Sequence, residues 1–189
     1  MSRLKNGFAV HTLESAPPAA RPHLEASLKG FGMLPNLHAL MAESPESLEA
    51  YKTLTTLFLA SSFATVEKHV LWIAINVEHA CHYCVPAHTA IALQQGVDPA
   101  IIEALRQASP LADAKLEALR AFALKMIRAR GHVETFDVDE FFAAGFTRQN
   151  ALEVVLGISH KILSNYVNHI AGAPTDAPFA QFEWTPPQG

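Results

Sequence analysis

Apolar residues recur three and four positions apart along nearly the whole chain, and this spacing restricts the possible folds more than any other feature. Residues at that spacing lie on one face of an α-helix, where they can be buried together. One such run consists of Leu48, Tyr51, Leu54 and Phe58. No sustained alternation of β-branched and polar residues, the pattern typical of strands, accompanies it. The sequence therefore predicts an all-α fold.

Prolines, glycines and capping residues divide this pattern into separate helices. We expect Ser44, Thr65 and Thr147 to cap three of them. The helix after Thr65 is apolar nearly all round, which predicts a central position in the fold. The other expected helices span residues 23–29, 101–108, 113–130, 138–144 and 149–170. One more is expected to begin between residues 82 and 85 and to end at residue 95.

The composition fits a single domain over residues 1–189. Half of the residues are hydrophobic and only 17% are charged, so we expect part of the surface to form a homo-oligomeric interface. The net charge of −4 argues against binding to nucleic acid. No apolar run approaches the roughly 20 residues that are needed to span a membrane. The N-terminal residues lack an apolar stretch of signal-peptide length, so we expect a cytoplasmic protein.

The last segment, residues 173–189, is predicted to be an arm, because prolines interrupt any helix there. Its aromatic residues are Phe179, Phe182 and Trp184. They suggest that the arm lies on a groove, with a groove of a neighbouring subunit as one option. A partly ordered tail with chance aromatic residues is the alternative.

Histidines and cysteines cluster between residues 69 and 88: His69, His79, Cys81, His82, Cys84 and His88. In a helix, positions three, four and seven apart share a face, so Cys81, Cys84 and His88 would lie together. At this spacing two cysteines are close enough to form a disulfide and reopen it. His88, one turn beyond Cys84, could accept a thiol proton.

Pro86 places these residues at the start of a helix. Proline has no N–H and is tolerated only in the first turn, so the helix should begin near residues 82–85. Unpaired amides at a helix start stabilise a thiolate and lower a cysteine pKa from about 8.5 toward 7 or below. The sequence therefore predicts that Cys84 is a nucleophile.

Two other interpretations of the cluster remain open. The cysteines could be buried and inert, as small apolar residues often are. Alternatively, Cys81, Cys84 and His88 could bind Zn²⁺, with His69 or Glu67 as a remote fourth ligand, in a non-enzymatic zinc-binding or redox-sensing protein. Structural zinc sites usually draw on two separated ligand pairs, and the sequence has no second pair.

Residues 67–88 resemble the core of the carboxymuconolactone decarboxylase-like superfamily, on its AhpD-like alkylhydroperoxidase (peroxidase-related) side. The run CHYCVPAH, from Cys81 to His88, carries the likeness, and the segments 35–37, 44–45 and 164–169 add looser support. The lactone decarboxylases of the superfamily lack the cysteine pair. The resemblance implies a homo-oligomeric AhpD-like helical bundle whose central helix pair carries the CxxCxxxH motif, with a motif core at 62–110.

The resemblance further implies a thiol-dependent (alkyl)hydroperoxidase of antioxidant defence. Cys84 would attack a small-molecule hydroperoxide, and Cys81 would condense with the resulting sulfenic acid to form a disulfide. A dithiol reductant protein, a lipoyl-bearing one in the family, would then reduce this disulfide, and no cofactor or metal ion is implied. The alternative is a carboxymuconolactone decarboxylase-type lyase that uses His69 and His88 as acid–base groups.

In the family, a glutamate and the histidine that matches His88 relay protons to the thiols. Here His69 occupies the position of that glutamate, and we favour it as the proton acceptor. Glu67 lies two residues earlier, about 200° around the helix, so Glu67 and His69 cannot both face the cysteines. Glu78, close in sequence to Cys81, is the remaining candidate.

The last predicted helix carries polar residues that are unusual on an otherwise apolar segment: His160, Asn165, Asn168 and His169. They could line the pocket around the cysteines. Polar groups that are hydrogen-bonded within a core or an interface are the more common explanation of such a pattern.

Overall fold

A computed structural model describes residues 4–187, and these form nine α-helices and no strand. The all-α prediction is therefore confirmed. The helices are α1 (Arg21–Phe31), α2 (Asn36–Met41), α3 (Pro45–Leu59), α4 (Thr65–Glu78), α5 (Cys84–Gln94), α6 (Pro99–Arg106), α7 (Ala114–Arg128), α8 (Thr135–Ala143) and α9 (Arg148–Ala171). Short 3₁₀ turns lie at Lys5–Gly7, Pro18–Ala20 and Ala177–Phe182. Within residues 4–187, every helix is too short or too polar to cross a membrane.

Four helices, α3, α6, α7 and α9, begin at a residue whose side chain accepts a hydrogen bond from a free amide of the first turn. Ser44 accepts from the Ser47 N–H (3.3 Å), and Thr147 accepts from the Asn150 N–H (3.2 Å), as the sequence predicts. The cap predicted at Thr65 is wrong by one residue, because Thr65 is the first helical residue of α4. Helix α2 is not predicted from the sequence, because its six residues are too few to show a periodic pattern.

Helix α4 lies at the centre of the fold, as its all-round apolar character predicts. It packs against α5, α6, α7 and α9, and Val70, Leu71, Ile73 and Ile75 are fully buried on it. Helix α9 crosses α3 and α4 at a very short distance, which Gly157 permits. A Cβ atom at Gly157 would lie 2.6 Å from Leu71 Cδ2 and 2.7 Å from Phe58 Cε2, so no larger residue fits without displacement of the core.

A second apolar cluster connects the N-terminal helices to the turn between α4 and α5. It contains Leu24, Leu37, Met41, Leu48 and Tyr51 together with Cys81, Tyr83 and Cys84. Both cysteines are buried between this cluster and α9. The N-terminal helices thus form one wall of the region in which the cysteines lie.

The described part of the C-terminal arm lies on α5 and α6 of its own chain. The Arg106 guanidinium donates hydrogen bonds to the carbonyl oxygens of Phe182 (3.2 Å) and Glu183 (3.1 Å). In return, the Trp184 indole N–H donates to the Arg106 carbonyl oxygen (2.8 Å), and the indole ring is buried. Residues 188 and 189 of the predicted arm lie outside the described residues.

Candidate active site

The turn between α4 and α5 places the two cysteines. Helix α4 ends at Glu78 and is followed by a left-handed residue, Ala80 (φ +50°), and the Cys81 N–H then donates to the Asn76 carbonyl oxygen (3.0 Å). This arrangement normally uses glycine, because a Cβ atom strains the left-handed conformation. The chain turns back into the core at Cys81, and α5 begins at Cys84 with Pro86 in its first turn, as predicted.

The two thiols are free, buried and in hydrogen-bond contact. The Cys84 N–H also donates to Cys81 Sγ (3.3 Å). Burial by itself would raise the pKa of the Cys84 thiol, but the hydrogen bond from Cys81 and the positive charge of Lys161 lower it to about 7. The same hydrogen bond and burial raise the pKa of Cys81 far above its usual value. Cys84 therefore loses its proton far more readily than Cys81 does.

Lys161 is the residue of the site that the sequence analysis missed. It lies on α9, is only 1% exposed, and its Nζ is 2.8 Å from His88 Nε2. No carboxylate of residues 4–187 forms an ion pair with it. A buried ammonium is very unfavourable without a counter-charge, and the nearby group that can supply one is the Cys84 thiolate. Burial lowers the pKa of Lys161, whereas negative charge on Cys84 opposes that shift.

His88 is neutral in this arrangement. Burial and the charge of Lys161 hold its pKa well below the ordinary value. Because an ammonium can only donate, His88 Nε2 accepts the hydrogen bond from Lys161 and the ring proton resides on Nδ1. His88 Nδ1 has no hydrogen-bond partner within the described part of the chain.

Further polar residues of α9 face the thiolate. Asn168 Nδ2 is 3.5 Å from Cys84 Sγ and donates to the Ser164 carbonyl oxygen (2.9 Å). Asn165 donates to Asn76 Oδ1 (2.9 Å), and Asn76 in turn lies 3.4 Å from the Cys84 carbonyl oxygen. Two of the four polar residues noted on the last helix, Asn165 and Asn168, therefore lie beside Cys84 and its neighbours, but none of the four lines the cavity described next.

A cavity of about 440 Å³ opens onto Cys84, His88 and Lys161. Its walls are mostly apolar and aromatic: Phe31, Met33, Leu37, Tyr51, Tyr83, Ile91, Pro178 and Phe179. Pro178 and Phe179 belong to the C-terminal arm, which therefore closes one side of the cavity. Asp176 holds the arm there, because its buried carboxylate accepts from the Tyr83 hydroxyl (2.5 Å) and the Asn36 N–H (3.0 Å).

The three candidates for the proton relay lie away from the thiols. His69 is bonded to Gln95 Oε1 (3.0 Å) and packs edge-on against Trp72, whose ring also contacts that of His88. The Glu67 carboxylate accepts from the Ala64 N–H (2.8 Å) and pairs with Lys115 (2.7 Å) at the start of α4. Glu78 pairs with Arg128 (2.7 Å). The structure thus brings together Cys81, Cys84 and His88, and neither His69, Glu67 nor Glu78 contacts them.

The remaining histidines of the predicted clusters have structural contacts. His160 Nδ1 accepts from the Trp72 indole N–H (3.1 Å), so its ring is neutral and its Nε2 faces Thr55 (2.9 Å). Burial, with the charge of Lys161, lowers the pKa of His160 to about 2. His169 is exposed and lies near the ring of Tyr166.

The zinc interpretation lacks a ligand set in the described structure. Within residues 4–187, no group of three or more histidine, cysteine, aspartate or glutamate side chains is arranged to hold a metal ion. The positions of His69 and Glu67 explain this result, since neither side chain reaches the sulfurs.

Comparisons with known proteins agree with this fold. Residues 45–124 match the model of the carboxymuconolactone decarboxylase family. One similar solved structure is an alkylhydroperoxidase AhpD core, which is a peroxidase-related protein from Ralstonia eutropha JMP134, with 22% identity and a TM-score of 0.82. Another is a peroxidase-related protein from Silicibacter sp. TM1040, with 22% identity and a TM-score of 0.79. Each match covers 95% of both chains. A variant of the debrominase Bmp8 in complex with 2,3,4-tribromopyrrole is 20% identical, with a TM-score of 0.72 over 87% of this chain and 89% of the other. No curated protein sequence matches this chain.

Proposed function

We propose that this chain, whose residues 45–124 match the carboxymuconolactone decarboxylase family and whose fold is similar to that of AhpD-like proteins, is an enzyme that reduces hydroperoxides through the Cys81–Cys84 pair. One observation carries the proposal: Cys84 lies at the start of α5, in contact with a second thiol and near a buried cation, at the floor of a cavity. A thiolate in that environment is a nucleophile at neutral pH.

The proposed cycle has three steps. The Cys84 thiolate attacks the outer oxygen of the hydroperoxide, so that an S–O bond forms, the O–O bond breaks and an alcohol leaves. The Cys81 thiol then attacks the sulfenic acid at Cys84, forming a disulfide and releasing water. A dithiol protein, for which a lipoyl-bearing partner is the family precedent, supplies two electrons and returns both cysteines to the reduced form.

Two cysteine variants test this proposal. Cys84→Ser should abolish peroxide consumption in a dithiol-coupled assay, because the nucleophile is lost. Cys81→Ser should leave a sulfenic acid at Cys84 that dimedone labels and mass spectrometry detects, because the resolving thiol is lost. Full peroxide consumption by the Cys84→Ser variant would overturn the assignment.

The lyase alternative needs acid–base groups rather than thiols, and His69 does not reach the cavity. An activity on lactone substrates that survives complete alkylation of the thiols would favour that alternative.

A second candidate reaction is the reductive removal of bromide or chloride from an aromatic ring. The aromatic walls of the cavity favour it, since Phe31, Tyr51, Tyr83 and Phe179 surround the space above Cys84. A similar fold is that of a debrominase bound to 2,3,4-tribromopyrrole. In the balanced reaction, the aryl halide and two thiols yield the reduced aromatic compound, one disulfide and the hydrogen halide. Release of bromide from tribromopyrrole, measured beside peroxide consumption with the same protein and dithiol, compares the two reactions directly.

A further inference from the structure

We propose that Lys161 is the catalytic acid of the peroxide reaction: its ammonium protonates the oxygen that leaves, and it recovers the proton from the Cys84 thiol when the disulfide is reduced. This inference rests on the proposed function and adds to it the source of a proton. It assigns to a lysine on α9 a task that the resemblance assigns to a glutamate–histidine relay.

The chemistry requires such an acid. When a thiolate attacks an alkyl hydroperoxide, the O–O bond breaks with both electrons on the departing oxygen, and an alkoxide is a poor leaving group unless it is protonated. Positioned general acids accelerate such steps by about 10²- to 10⁴-fold. The leaving oxygen lies in the cavity, so the acid must line the cavity too.

Lys161 is the one cationic side chain among the described residues that line this cavity. The two histidines that line it are neutral at pH 7: His88 has a strongly lowered pKa, and burial lowers the pKa of His38 to about 4. Burial raises the pKa of the Tyr51 hydroxyl, which makes it a weak acid. Neither histidine nor Tyr51 is therefore a good proton source.

The contacts of Lys161 leave its protons available. An ammonium has three N–H groups, and within residues 4–187 one hydrogen bond of Nζ is found, to His88 Nε2. That bond fixes the direction of the long side chain. The other N–H groups have no protein acceptor there and are free to meet a bound peroxide, and His88 becomes the residue that positions the acid.

The charges balance through the whole cycle. The reduced site contains the Cys84 thiolate and the Lys161 ammonium. After the attack it contains a sulfenic acid and a neutral amine, and the alcohol has left with the lysine proton. Disulfide formation releases water and changes no charge. When the dithiol partner reduces the disulfide, the Cys84 thiol transfers its proton to the Lys161 amine, so a buried charge is never left without its opposite.

The test compares leaving groups in single turnovers. Wild type and Lys161→Met are mixed with an alkyl hydroperoxide, whose leaving alkoxide needs a proton, and with a peroxycarboxylic acid, whose leaving carboxylate does not. Rates are taken at the plateau of each pH profile, where Cys84 is fully ionised in both proteins. We expect Lys161→Met to lose on the order of 10²-fold or more with the alkyl hydroperoxide and far less with the peroxycarboxylic acid.

Lys52→Met is the matched control, because the Lys52 amine donates to the His23 carbonyl oxygen and to Ser27 and does not line the cavity. This substitution should leave the ratio of the rates with the two peroxides unchanged. Lys161→Gln gives a second variant if the methionine variant folds poorly, and the same ratio of rates is read from it.

Equal losses with both peroxides, or no loss with either, would overturn the role of Lys161 while leaving peroxide reduction intact. If the wild-type protein itself consumes no peroxide, the proposed function fails first, and the two failures are thereby distinguished.

Discussion

The hydrogen bond between Tyr83 and Asp176 should control how readily the C-terminal arm leaves the cavity. The carboxylate is buried and has two donors, the Tyr83 hydroxyl and the Asn36 N–H. The substitution Tyr83→Phe removes one of them and preserves the ring that lines the cavity. It also removes the acceptor of the Leu37 N–H (3.3 Å). The closed position of the arm is therefore weakened without a change in the shape of the wall.

The size of the effect follows from these contacts. A hydrogen bond to a charged group contributes about 1.5–3 kcal/mol. Since about 1.4 kcal/mol corresponds to a factor of ten in an equilibrium constant, the open form should become about 10- to 150-fold more populated. The contacts of Arg106 with the carbonyl oxygens of Phe182 and Glu183 remain, so the arm should open at the end that carries Pro178 and Phe179.

The assay measures access to Cys84 with two reagents. A bulky maleimide should require the open arm, so its rate should follow the population of the open form and increase at least about tenfold in the variant. Iodoacetamide is small enough for the closed cavity of about 440 Å³, and its rate should change much less. Hydrogen exchange at the amides of residues 177–182 should become faster in parallel.

Tyr166→Phe is the control, because Tyr166 is exposed on α9 and does not line the cavity. If Tyr83→Phe leaves the rate with maleimide unchanged, or changes the rates with both reagents equally, the hydrogen bond does not hold the arm and the reasoning is refuted.

Two further predictions follow from the turn that carries the cysteines. Because the pKa of Cys84 is lowered to about 7, its alkylation by iodoacetamide should rise with pH and reach half of its maximum near pH 7. A midpoint near 8.5, the value of an ordinary cysteine, would contradict the proposed thiolate. Ala80→Gly should raise the free energy of unfolding by about 0.5–1 kcal/mol in urea titrations, because glycine adopts the positive φ of this residue without strain. Ala118→Gly, in the interior of α7, should instead lower the free energy of unfolding by about 1 kcal/mol. If both substitutions lower the free energy of unfolding, the backbone at Ala80 is not strained.

The local part of the candidate site could be predicted from the sequence because it is built within one stretch of chain. The spacing of Cys81, Cys84 and His88 and the rule that restricts Pro86 to a first turn depend on helix geometry alone. The all-α fold and the central position of α4 follow from apolar periodicity for the same reason.

The residues that come from distant segments could not be predicted in the same way. Lys161 is 73 positions from His88, and an isolated lysine in a sequence is normally an exposed residue. A signal was present, since Lys161, Ser164, Asn165 and Asn168 recur at helical spacing on α9, and they share its buried face. Likewise, His69 hydrogen-bonds to Gln95 and packs against Trp72, a packing detail that no spacing rule contains.

The polar face of α9 has a consequence for the evolution of heat resistance. Lys161, Ser164, Asn165 and Asn168 occupy buried positions at which apolar residues of similar size would strengthen the core. Selection for thermostability alone should therefore replace these residues early and yield stable proteins that lack the proposed activity. A thermophilic relative that retains all four would show that selection for activity opposes selection for stability along this helix.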